Sequence, residues 1–187
     1  MSQSPNSTAS RYTLPAIVLH WVLALGILGA FAMGVYVEDL PFSPAKLKLV
    51  NWHKWAGVTI FLLSAARLMW RLTHAAPALP ATMPAWQRAA ANASHHLLYA
   101  LFFAAPLTGW LFSSAAGFQT VYFGVLPIPD LLAKDPALAD TLKLAHRFVN
   151  YSLAALVTVH AAAAIKHHVV DGDDVLARML PFLKPRT

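Results

Sequence analysis

The chain has 187 residues, of which 58% are hydrophobic and only 12% charged, with a net charge of +6 and no cysteine. A soluble domain is about a quarter charged, so this composition, with a mean hydropathy of +0.53, points to an integral membrane protein long enough for four spans but not for a large extra domain. The missing cysteines exclude disulfides, cysteine-ligated iron–sulfur clusters and thioether-attached prosthetic groups, and the scattered basic residues exclude a nucleic-acid-binding stripe.

The first ten residues are polar and lack the charged start and short apolar core of a removable signal, so the first span is expected to act as its own insertion signal. That span is expected over residues 14–37, with Pro15 in its first turn and Glu38, Asp39, Pro41 and Pro44 ending it. The second is expected over 50–72, followed by a connector containing Pro77, Pro80 and Pro84. The third covers 89–112 and carries Pro106, which predicts a kink. The longest connection runs from Ser113 to Thr141, with Pro127, Pro129 and Pro136, and a short surface helix is expected near Asp135–Lys143. The fourth span covers 142–170, and a basic tail follows with Arg178, Lys184 and Arg186. Residues 1–187 thus read as a single membrane domain, an all-α bundle of four transmembrane helices.

Basic residues near span ends set orientation. With both termini on one side, that side carries Arg11, Arg67, Arg71, Arg88, Lys166, Arg178, Lys184 and Arg186, against Lys46, Lys48, Lys54, Lys134, Lys143 and Arg147 on the other. Eight against six favours cytoplasmic termini.

His146 and His160 stand fourteen residues apart in the fourth span. At about 100° and 1.5 Å per residue, both rings leave one helix face at levels about 21 Å apart. The same interval separates His20 from Gly34, His53 from Arg67 and His95 from Gly109. Ionisable rings in lipid are costly, so such a two-level stripe implies a shared role. By depth, His20 matches His160 near the cytoplasmic ends, and His53 matches His146 near the outer ends. Imidazole pairs from facing helices hold six-coordinate haem iron, so two haem b groups, bound without covalent attachment, explain the pattern. His95 is an alternative inner ligand. Gly34 and Gly109 would leave flat space at the outer level, although small residues also serve ordinary helix packing. Arg67 faces the bundle at the inner level, where it suits haem propionates or a quinone headgroup; Arg71, one turn on, equally suits snorkelling to the interface. His95 and His167 together suit a quinone carbonyl and its protons.

The segments IVLHWVL, WHKWAGVTIFLLSAARLMWRL, HHLLYALFFAAPLTGWL and VHAAAAIKHH together resemble the bacterial cytochrome b561 family, over nearly the whole chain. The resemblance implies a haem-bearing four-helix core with His20 and His160 at one haem and His53 and His146 at the other. Short stand-alone chains of this kind are similar to members that oxidise superoxide outside the membrane and reduce ubiquinone within it. Lys54, Lys143 and Arg147 flank the outer ligands and would steer a small anion, or else only anchor span ends. Three other readings are a haem-bearing electron-transfer subunit of a membrane dehydrogenase or hydrogenase-type complex, a divalent-metal transporter and a structural membrane protein. The lack of intramembrane carboxylates and of cysteine argues against the transporter.

Overall fold

The computed structural model describes residues 11–80, 82–180 and 182–183; the readings of Met1–Ser10, Lys184 and Arg186 fall outside them. Among the described residues the regular structure is helical but for one hairpin: α1 (Leu14–Glu38), α2 (Pro44–Thr73), α3 (Ala85–Ala115) and α4 (Pro136–Lys166), which runs into a π-helical turn at His167–Asp171. Two short antiparallel strands, β1 (Val121–Tyr122) and β2 (Leu126–Pro127), lie between α3 and α4. By length and composition α1, α3 and α4 with its π turn are apolar enough to cross a membrane. The chain is a multi-pass membrane protein.

Each helix starts where local chemistry dictates. In α1, α2 and α4 a proline sits at the first or second position, where its missing N–H costs nothing. The Ser43 side chain accepts from Lys46 N at 3.2 Å, and Asp135 Oδ1 accepts from Leu138 N at 3.0 Å, satisfying free N-terminal donors. Three expectations are corrected here. The short surface helix near Asp135–Lys143 does not exist separately, because nothing breaks the helix after the Asp135 cap and these residues are the first turns of α4. The long connection shrinks to residues 116–135 and contains the unexpected hairpin. α2 also begins six residues before the expected span, at Pro44.

Helices pack closely in chain order, α1 on α2, α2 on α3 and α3 on α4. α1 and α4 are bridged by side chains, among them Phe31 against Tyr151 and His20 against His160. The core consists of Leu23 and Ile27 from α1, Ile60 from α2, Leu98 and Ala105 from α3, and Leu153 from α4. Every one of these falls inside a fourteen-residue interval that begins at a histidine. The apolar core is therefore a plug between the His20–His160 level, expected from the sequence to be the inner one, and the His53–His146 level, expected to be the outer one.

Candidate haem centres

At the outer level the ring centres of His53 (α2) and His146 (α4) are 6.2 Å apart, and at the inner level His20 (α1) and His160 (α4) are likewise 6.2 Å apart. Two imidazoles bound to one metal at about 2 Å, with ring centres about 1 Å further out, stand about 6 Å apart. Both pairs fit that separation and supply neutral nitrogen donors from facing helices. The inner level holds a third imidazole, since His95 lies 5.5 Å from His160.

The outer rings are closely held. A Cβ on Gly34 would come within 3.1 Å of His53 Cε1, and one on Gly109 within 2.9 Å of His146 Cε1. The space these glycines leave is thus taken by the imidazoles themselves. Thr108 Oγ1 lies 3.1 Å and Asn150 Nδ2 3.2 Å from His146 Nδ1, and Asn150 also donates to the His146 carbonyl at 2.7 Å. His53 Nδ1 is buried with no hydrogen-bond partner among the described residues. Buried imidazole nitrogens are costly without one, so a ring pair with an orphaned nitrogen and a glycine-made seat fits a haem iron. Thr108 and Asn150 were missed by sequence reasoning. Their signals were present, Asn150 one turn after His146 on the same face and Thr108 beside Gly109.

The outer basic residues are partly engaged. Arg147 Nη1 donates to Glu38 Oε1 at 3.0 Å, and Lys143 Nζ is 3.6 Å from the same atom; their side chains stay 48% and 47% exposed. Lys54 Nζ donates to the Phe118 carbonyl at 2.6 Å. Glu38, read from sequence only as a helix terminator, is the carboxylate that joins the outer ends of α1 and α4.

At the inner level Arg67 Nη1 donates to the Ala16 carbonyl at 3.1 Å, so its guanidinium faces the bundle as expected. Arg11, Arg67, Arg71, Trp70, His74 and Tyr99 line a cavity there, and the Tyr99 hydroxyl is buried with no hydrogen-bond partner among the described residues. His167 sits in the π turn, where its Nδ1 donates to Asp173 at 2.8 Å and lies 3.0 Å from Asp171. Those carboxylates orient the ring and leave Nε2 for another partner.

The profile of the prokaryotic cytochrome b561 family matches residues 11–182. "Cytochrome b561 homolog 2" of Escherichia coli K12 is 34% identical over 176 residues, covering 93% of both chains. "Cytochrome b561 homolog 1" of the same organism is 29% identical over 175 residues, 92% of this chain and 98% of that one. The "Probable superoxide oxidase CybB" of Yersinia pestis is 27% identical over 175 residues, 91% of this chain and 96% of that one. With its membrane helices and paired histidines, the chain belongs to the prokaryotic cytochrome b561 family of membrane electron-transfer proteins.

Proposed function

We propose that residues 1–187 form a single four-span domain of the bacterial inner membrane, with cytoplasmic termini, that oxidises superoxide at the periplasmic face and reduces ubiquinone at the cytoplasmic face. The observation that carries this reading is the pair of imidazole couples, each at 6.2 Å, one on either side of the apolar plug. His53 and His146 would hold the outer haem b, and His20 and His160 the inner one. Bound there, haem would supply one-electron transfer across the bilayer.

The other residues bind, steer and protonate. Lys54, Lys143 and Arg147 raise the local concentration of an anion at the outer mouth, and Glu38 moderates their field. Arg67 is positioned for the carboxylates of the inner haem or for the quinone headgroup. His95 and His167 supply protons to the reduced quinone, with Asp171 and Asp173 orienting His167. The probable superoxide oxidase among the relatives supports this choice of donor.

The test is superoxide-driven ubiquinone reduction by the purified chain alone in liposomes. We expect turnover that slows with rising salt and in a Lys54→Glu, Arg147→Glu double variant, because steering is screened. Turnover insensitive to both contradicts the steering role. A chain that reduces ubiquinone only with a dehydrogenase present is instead an electron-transfer subunit.

A further inference from the structure

The hairpin between α3 and α4 is tied inward by several polar contacts. Trp55 Nε1 donates to the Val121 carbonyl at 2.7 Å, the Tyr122 hydroxyl meets Thr59 Oγ1 at 2.8 Å, and Trp110 Nε1 donates to the Pro129 carbonyl at 3.0 Å. At the turn, Gly124 N and Val125 N donate to Val121 and Tyr122 carbonyls, and Ile128 N donates to that of Thr120. Pro127 and Pro129 have no N–H to satisfy. Residues 121–129 carry no charge.

What points outward is apolar. Val125 is 83%, Phe123 61% and Leu126 57% exposed. Phe123 has φ of +50°, a left-handed conformation that costs a residue with a Cβ about 1 kcal/mol or more. That backbone sets one part of its ring against Trp55, at 5.2 Å, and Tyr122, at 4.4 Å, while the rest stays uncovered.

Trp55 opens the uncharged run 55–66 of α2, and Thr59 lies about 6 Å further along the axis. Val121 sits on Trp55 and Tyr122 on Thr59, so the turn of the hairpin points along α2 from its charged end toward the apolar run. Unpaired backbone is costly in lipid, and here the Gly124, Val125 and Ile128 N–H groups are bonded while Pro127 and Pro129 have none, which lowers the cost of lipid contact. The hairpin also roofs the outer half of α2, the most charged of the long helices, and the Phe118 carbonyl at its base takes the Lys54 ammonium.

We propose that the 121–128 hairpin is a membrane-inserted element whose Phe123, Val125 and Leu126 side chains lie among the acyl chains of the outer leaflet, shielding α2 from lipid. The inference rests on the membrane location of the chain and is independent of what its histidines hold.

The chain has no cysteine, so single nitroxide labels can be placed without background. Three full-length variants in phosphatidylcholine liposomes suffice: Val125→Cys, Leu25→Cys as the bilayer reference from the middle of α1, and Ala137→Cys as the aqueous reference from the first turn of α4. Collision of each label with oxygen, which partitions into lipid, is compared with collision with a water-soluble nickel chelate. The oxygen-to-nickel ratio at 125 should exceed that at 137 several-fold and approach that at 25. A ratio at 125 equal to that at 137 overturns the proposal by placing the hairpin in water. A label at 125 shielded from both reagents overturns it too, by showing that a second copy or another protein covers the face.

Discussion

Alanine at position 109 tests most sharply how the outer histidine is seated. The added Cβ would stand 2.9 Å from Cε1, 3.3 Å from Nδ1 and 3.5 Å from Nε2 of His146. Carbon contacts settle at about 3.5 Å or more, so the ring or α3 must move by roughly 0.6 Å. The ring cannot swing freely, because Thr108 and Asn150 hold it. Overpacking of this kind costs about 1–3 kcal/mol, against which alanine gains up to about 1 kcal/mol over glycine in a helix. Position 29 is the control, since a Cβ there meets nothing within 4 Å and only the gain applies. Gly34→Ala, at 3.1 Å from His53 Cε1, should fall between them. Denaturant midpoints in one detergent should therefore rank Gly29→Ala above Gly34→Ala above Gly109→Ala, with the extremes about 1–3 kcal/mol apart. In the same samples Gly109→Ala should shift the absorption of one haem and leave the other unchanged. If Gly109→Ala matched Gly29→Ala in stability and both haem signals were unaltered, the glycine seat would play no part in ligand placement.

Glu38→Gln removes the carboxylate shared by Lys143 and Arg147, so haem reduction by superoxide should quicken a few-fold at low salt and depend more steeply on ionic strength. Stopped-flow absorbance checks both, and a slower, salt-independent reaction would count against steering. His167→Ala should leave haem reduction by superoxide fast while ubiquinone reduction falls by about tenfold or more, as expected on losing a positioned proton donor. Equal loss of both rates would instead place His167 in the support of the inner haem.

Long apolar runs made the helices legible: α1 was read to within one residue, because Pro15 and the Glu38–Asp39 pair bracket it. α2 was read six residues short, since Lys46 and Lys48 hid its outer turns; the Ser43–Pro44 start was a capping signal that hydropathy overrode. Apolar residues likewise thin out over Asp135–Lys143, which hides in the sequence that these turns are continuous with α4, since a helix can project beyond lipid. The hairpin left a fainter trace, Val121–Tyr122 and Val125–Leu126 around Phe123–Gly124, too short for periodicity to register. For the site, the fourteen-residue interval was enough to group the histidines by depth, because helix geometry alone converts spacing into height. It could not separate His95 from His20, since both reach the His160 ring. Nor could it show that Glu38 meets Arg147, 109 residues away, because that contact depends on how α1 and α4 stand across the bundle.

The central claim is that two haems sit on opposite sides of an apolar plug, one on each histidine couple. Haem content per chain, with reduced-minus-oxidised spectra, measured on the purified wild type and on His53→Ala, tests it most directly. Two haem b per wild-type chain and one in the variant are expected, with the remaining spectrum that of the His20–His160 centre. Two haems with unchanged spectra in His53→Ala, or a wild-type chain that binds none, would contradict it.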